Sequence, residues 1–264
     1  MKILIYIAVF CAVLSAIWAF FIEPNLLKIK NYKISCSELQ GIKIVYASDF
    51  HIAPEHKKRL QKIIKEINNQ NPDLVLLGGD YVKGHKAKSS MPIRDIAAEL
   101  KKITSKHGIF GVMGNHDWYV DGTEIIAALK DNNIKILQNE NTSVKIDGKE
   151  LCIAGIEDMY TRQPDLKKAL SSCKDSVILL SHEPDIYPDV PEDVCLTLAG
   201  HMHGGQVRLP FIGALIVPSP MGPKYAQGYF EEKGRKMIVS SGLGTSLLPL
   251  RFNTIPEIVV IEFE

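Results

Sequence analysis

Cysteine is scarce in this chain of 264 residues. There are five (Cys11, Cys36, Cys152, Cys173, Cys195), widely scattered, and none forms a C-x-x-C pair. That excludes a zinc ribbon and a thioredoxin-like motif, and the number is too small for a disulfide framework. The expectation is buried, apolar thiols. An excess of one charge is also lacking. With 31 Lys+Arg against 30 Asp+Glu the formal net charge is +1, which argues against a dedicated nucleic-acid binder and leaves at most a local basic patch. No internal repeat or low-complexity segment interrupts the chain. Hydrophobic residues at 46% and charged residues at 23% are ordinary for a globular protein and exclude general disorder, collagen and coiled coil. A chain this long buries roughly 70–75% of its unfolded surface and needs no staples.

A single long apolar run is present, at the N-terminus. From Ile3 to Ile22 no residue is charged, and Ser15 alone is clearly polar. A helix of that length spans roughly 30 Å, the hydrocarbon core of a bilayer. Trp18, Phe20 and Phe21 lie near one end, where an aromatic belt sits. Ala16 and Ala19 have the wrong spacing for a small-x-small cleavage site, and there is no twin arginine. Residues 1–22 are therefore expected to be an uncleaved anchor, rather than a cleaved signal or a core helix. Lys28, Lys30 and Lys33 follow the span, against Lys2 and the amino terminus before it. The positive-inside rule then predicts a single-pass inner-membrane protein with a cytoplasmic catalytic domain.

Residues 23–41 read as a linker, and 42–264 as one α/β domain. Ile42–Ser48, Leu74–Leu77 and Ile109–Met113 are short apolar runs, read as buried strands. Between them, Leu60, Ile63, Ile64 and Ile67 recur at helical spacing, as do apolar residues over Ile93–Ile103. Thr123 is placed as the cap of a further helix. The second half is richer in strands, with a hairpin turning at Asp147-Gly148, apolar runs at Val177–Leu180 and Leu196–Ala199, another hairpin near Lys233-Gly234 and a late strand at Ile258–Phe263.

The chemistry lies just after these runs. Five strand ends lead directly into Asp49-x-His51, Gly79-Asp80, Gly114-Asn115-His116-Asp117, His182 and Gly200-His201-x-His203. Ligands of α/β sheets bind at the carboxyl ends of strands, so these loops are expected to converge. Of the eight histidines, five fall in these blocks; His56, His85 and His107 read as solvated. Asp, Asn and neutral His suit a divalent metal with nitrogen and oxygen ligands. Asp49, His51, Asp80, Asn115, His182, His201 and His203 are too many for one ion. They fit two ions about 3.5–4 Å apart that share a carboxylate. The glycines before Asp80, Asn115 and His201 permit unusual backbone angles and close approach.

The ordered series D-x-H, G-D, G-N-H-D, H, G-H-x-H, running from Asp49 to His203, resembles the calcineurin-like metallophosphoesterases. The resemblance covers roughly residues 42–262. It implies a four-layer α/β/β/α sandwich with a dinuclear centre. One metal would be held by Asp49, His51, Asp80 and His203, the other by Asp80, Asn115, His182 and His201, with Asp80 bridging. His116 would be no ligand but an acid near the leaving group, and Asp117 would orient its imidazole. Purple acid phosphatases have a tyrosine ligand three residues after the bridging aspartate. Lys83 stands there, so an iron–tyrosinate centre is not expected, and Tyr81 points elsewhere. Mn²⁺, Fe²⁺ and Zn²⁺ all suit the donor set. Two cations would make a bridging hydroxide available near neutral pH to attack a phosphodiester or pyrophosphate, with His116 protonating the departing alkoxide. Ser181 lacks a base partner, so no covalent phosphoenzyme is expected.

The runs H-M-H-G-G-Q at 201–206 and S-S-G-L-G-T-S from Ser240, followed by Arg251-Phe252, resemble a branch of small bacterial membrane-associated phosphoesterases linked to hydrolysis of UDP-diacylglucosamine, a lipid A precursor. That likeness implies a lipid-linked nucleotide sugar as substrate and the bilayer as partner. The apolar stretches Leu209–Val217 and Leu247–Leu250 would be a groove for acyl chains or plain packing. Arg208, Lys224 and Arg251 would meet a second phosphate or remain solvated. A phosphodiesterase for a soluble or nucleotide substrate is the rival enzyme. A metal-free scaffold is the rival of another class, disfavoured by the complete ligand blocks.

Overall fold

The computed structural model describes residues 1–84, 87–174 and 176–264; His85 lies outside the described residues. Helix α1 (Lys2–Ile17) runs on through a wider turn at Trp18–Ile22 and a short turn at Glu23–Asn25. This continuous helix of 24 residues is long and apolar enough to cross a membrane, and almost none of it is buried in the protein.

The stretch expected to be a linker is folded onto the domain. Strand β1 (Lys28–Ile34) pairs in parallel with the last strand, Lys28 opposite Glu257 and Ile34 opposite Phe263. Its lysines are what an edge strand carries to discourage further pairing, and they hid it from a search for apolar runs. Then come β2 (Lys43–Ala47), α2 (Lys57–Asn69), β3 (Leu74–Leu77), α3 (Ile93–Leu100), β4 (Ile109–Gly111), α4 (Asn115–Val120), α5 (Gly122–Asp131) and β5 (Ile134–Ile136). The second half supplies β6 (Glu140–Ile146), β7 (Lys149–Gly155), α6 (Leu166–Leu170), β8 (Ser176–Leu180), β9 (Val194–Ala199), the two-residue strands β10 (Arg208–Leu209) and β11 (Gly213–Ala214), β12 (Gly228–Glu232), β13 (Arg235–Val239) and β14 (Glu257–Phe263). Asp121, not Thr123, caps α5; its carboxylate accepts the Glu124 N–H.

Two six-stranded sheets form, ordered β1-β14-β2-β3-β4-β5 and β12-β13-β9-β8-β7-β6. Strict alternation sorts their side chains. In β2, Ile44 and Tyr46 face the second sheet, while Val45 and Ala47 pack on α2 and α3. In β8, Ile178 and Leu180 face inward and Val177 and Leu179 pack towards α6. Strands buried on both faces need apolar residues at every position, which explains their continuous runs. The result is the expected α/β/β/α sandwich. Strands β2, β3 and β4 of one sheet are mutually parallel, as are β7, β8 and β9 of the other. The loops after β2, β3, β4, β8 and β9 carry the five polar blocks.

The cysteines correct the expectation of free thiols. Cys36 pairs with Cys195, Cα atoms 6.4 Å apart, and Cys152 with Cys173, 5.6 Å apart. Only Cys11, on the exposed face of α1, is free. Separations of 159 and 21 residues made neither pair visible in the sequence.

Candidate metal centre

Each polar block begins where a buried strand stops, so the backbone must turn sharply with no room to spare. Asp49, His51, Asp80, His201 and His203 all adopt left-handed backbone angles, with φ from 43° to 66°. Each such residue costs about 1–3 kcal/mol, and such strain collects where function over-determines the backbone. The preceding glycines act in two ways. Gly79 needs its φ of 88°. Gly114 has an extended backbone, φ −106°. It is glycine because a Cβ there would collide with Asp80 Oδ1 and His182 Cε1.

The loops bring the sequence candidates together. Asp49, His51 and His203 form one buried group of ligand atoms, Asp80, His182 and His201 form another, and His51 and Asp80 also group with His116. Asp80 Oδ2 lies 3.3 Å from both His51 Nε2 and His182 Nε2, between the two groups. His203 Nε2 is 3.0 Å from His51 Nε2 and 3.6 Å from Asp49 Oδ1, and His201 Nδ1 is 3.2 Å from His182 Nε2. The Asn115 Oδ1 atom, one residue after the Gly114 that packs on Asp80 and His182, is buried without a hydrogen-bond partner. Lone pairs so close together, in a dry site, repel unless a cation lies between them, so these residues fit a divalent metal. Electrostatics agree. Burial holds the His51 imidazole down at about 3; burial and the neighbouring His182 do the same for His201. Both therefore stay neutral, as ligation requires. Burial alone would raise Asp80, but His182, whose own imidazole that carboxylate holds well above its usual range, keeps the Asp80 carboxyl well below its own. His182 is fixed from behind by its Nδ1, 2.7 Å from the Gly78 carbonyl oxygen, which turns Nε2 towards the centre.

His116, the second residue of α4, lies next to this cluster. Its backbone N–H donates to Asp80 Oδ1 at 2.9 Å, and its ring meets that of His51 edge-on at 4.7 Å. Asp117, expected to orient the His116 ring, is occupied differently. Its two oxygens accept the backbone N–H groups of Asp80, Tyr81, Val82 and Gly114. It clamps the β3 loop to the β4 loop, and burial together with Asp80 pushes it up to about 7. Tyr81 points away, as expected, with its hydroxyl on the Val112 carbonyl. Ser181 is fully buried and donates to the Glu183 carbonyl.

The three cations read as phosphate contacts each have a partner within the protein. Arg251 is fully buried, and its guanidinium donates to the carbonyls of Ser241, Gly242, Gly244 and Thr254. It braces the loop behind His203, 3.4 Å from His203 Nδ1. Lys224 is exposed and paired with Glu232. Arg208 is half-buried beside the Gly204 carbonyl. His56 and His107 are half-buried rather than fully solvated. Two rings flank the cluster that the sequence did not single out. Tyr119, one turn beyond His116 on α4, meets it at 5.9 Å, and Tyr160 lies 5.1 Å from His201. Helical spacing from His116 could have flagged Tyr119; nothing near Tyr160 points to the site.

A two-sheet sandwich with a buried Asp/His/Asn cluster at its strand ends defines a class of metal-dependent phosphoester hydrolase. The chain belongs to the calcineurin-like phosphoesterase family, whose profile matches residues 42–207. It is 32% identical over 255 residues to the metallophosphoesterase YkuE of Bacillus subtilis, covering 92% of this chain and 87% of that one. An Aquifex aeolicus metallophosphoesterase is 30% identical over 257 residues, with 91% and 93% covered. A zebrafish transmembrane protein with a metallophosphoesterase domain is 29% identical, with 84% and 53% covered. The fold is shared with the Haemophilus influenzae NAD nucleotidase at a TM-score of 0.51 and 15% identity, covering 76% of this chain and 45% of that structure.

Proposed function

We propose that this centre holds two divalent ions and hydrolyses a phosphodiester at a membrane surface. The observation that carries the reading is Asp80, whose carboxylate stands between the two ligand groups. Asp49, His51 and His203 would hold one ion, and Asn115, His182 and His201 the other, with Asp80 shared. Mn²⁺, Fe²⁺ or Zn²⁺ would serve. Such ions supply Lewis acidity that polarises the phosphoryl group and activates water. The protein does the rest. The imidazoles of His51, His201 and His203 are held neutral by burial, the Asp117 clamp fixes the Asp80 loop, and His116 is placed to deliver a proton to the departing oxygen.

A lipid-linked substrate is the finer reading, supported by the apolar helix of residues 2–25. Between its two forms, a diester is favoured over a nucleotide-linked pyrophosphate, because Arg251 and Lys224 are committed elsewhere. The cysteine pairs favour an oxidising compartment for the catalytic domain, against the cytoplasmic side suggested by the lysines. Alkylation in denaturant without reductant should then label Cys11 alone, and all five cysteines after reduction. Five labelled thiols without reductant would restore the cytoplasmic reading.

The test of the reaction uses leaving groups. His116→Gln should keep both metals by elemental analysis and slow an alkyl diester by about 10²–10⁴-fold. A nitrophenyl diester, whose leaving group needs little protonation, should lose far less. Equal losses on both would assign His116 a positioning role instead.

A further inference from the structure

Two loops near the cluster leave large apolar side chains in the open. The β10–β11 hairpin presents Phe211, Ile212, Leu215 and Ile216; Phe211 is fully exposed and Ile216 is 82% exposed. The segment after β13 presents Leu247 and Leu248, 85% and 58% exposed. Neither loop carries a charge, since no ionisable side chain falls between Arg208 and Lys224, nor between Lys236 and Arg251. A water-facing loop of that length is normally punctuated by charge, and contiguous exposed apolar surface marks a partner.

Backbone contacts show where the loops stand. They are tied to each other, because Arg208 N–H donates to the Phe252 carbonyl and Gln206 Nε2 to the Leu248 carbonyl. They are also tied to the base of the apolar helix. Arg251 N–H donates to the Ala19 carbonyl at 3.0 Å, and the buried Glu23 carboxylate accepts from Thr254 N–H and, at 2.6 Å, from Trp18 Nε1. The chain leaving the membrane-length helix is therefore fastened to residues 251–254, just after the second loop. Phe252 of that stretch pairs with Gln206 and Arg208, which lead from the His203–Gly205 turn into the hairpin, so the first loop is continuous with a candidate metal ligand.

We propose that the 209–216 hairpin and the 247–250 loop form a foot that dips into the boundary between headgroups and acyl chains of a phospholipid bilayer, beside the end of the N-terminal helix. The occupant is lipid because the foot is uncharged, apolar and continuous with a helix whose side chains are themselves exposed and apolar. Interfacial seating of this kind scales with the apolar area buried. The foot deepens the proposed function, on which its catalytic meaning rests: the His203 end of the centre would be held at headgroup height, where phosphodiesters of lipids lie.

The test is photo-crosslinking of the full chain, purified and reconstituted in vesicles of phosphatidylethanolamine and phosphatidylglycerol. A benzophenone-bearing phenylalanine analogue replaces Phe211, Leu247 or, as control, Asp147. Asp147 lies at the β6–β7 turn, where β7 begins, at the opposite end of the sheet from the ligand loops. Irradiation should add the mass of one phospholipid at positions 211 and 247, severalfold more than at 147. An adduct of doubled chain mass would overturn the proposal in favour of a second copy. No adduct above the control would overturn it in favour of open water. Lipid capture by a chain that hydrolyses no diester would leave the foot standing and sink the proposed function alone.

Discussion

Asp80→Asn is expected to abolish metal binding and activity together while leaving the fold intact. The amide has the shape of the carboxylate and retains Oδ1 to accept the His116 N–H, so α4 keeps its place. What it lacks is the negative charge that stands 3.3 Å from His51 Nε2 and from His182 Nε2. Without that charge neither ligand group is neutralised, and both ions should fall below stoichiometric occupancy. Several kcal/mol of transition-state charge stabilisation would go with them, a loss of roughly 10³-fold or more in turnover. His203→Ala should cost mainly one ion, since His203 belongs to only one group. Elemental analysis and circular dichroism of the same preparations check this. Two metals per chain retained in Asp80→Asn would overturn the shared-carboxylate reading.

Arg251→Met is expected to strike stability before catalysis. The guanidinium is buried, carries donors to four backbone carbonyls, and faces the Asp49, Glu257 and Glu23 carboxylates; burial and the nearby Arg59 draw it down to about 9. Removing one partner of a buried ionic network leaves the others desolvated and unpaired, at about 3–5 kcal/mol. The apparent melting midpoint should fall by roughly 10 °C. Arg251→Lys should recover only part of this, because an ammonium cannot fork to several carbonyls. Had Arg251 gripped a substrate phosphate, the substitution would instead raise KM at an unchanged melting midpoint. That pattern would sink the structural role.

The site was more legible than its frame. Polar blocks at the ends of β2, β3, β4, β8 and β9 stand out because those strands are apolar at every position, so each break in hydrophobicity marks a strand end. Lys28–Ile34 was missed because an edge strand needs apolar residues on one face only, and its lysines read as solvated. Ile134–Ile136 is too short for any period to show. Arg251 could not be placed because charge beside a motif reads equally as substrate contact or brace; burial alone distinguishes them. Asp117 was assigned to its sequence neighbour His116, whereas the helical turn of α4 aims it at the loop after β3. The two cysteine pairs lay beyond reach for the same reason: through-space partners leave no trace in spacing.

Strand β14 lies between β1 and β2 and pairs with both, although it is the last of the three to be synthesised. The turn behind the ligands leans on it as well, through Ser241 N–H on the Glu257 carboxylate and Glu257 N–H on the Gly242 carbonyl. A growing chain thus has its apolar helix and every ligand before it has the strand that joins the first sheet. Until residue 263 is made, β1 and β2 each offer an open edge across a strand-wide gap. The first sheet is therefore complete only once β14 has been made. A message cut short before codon 257 is expected to yield an aggregation-prone chain with no residual hydrolysis.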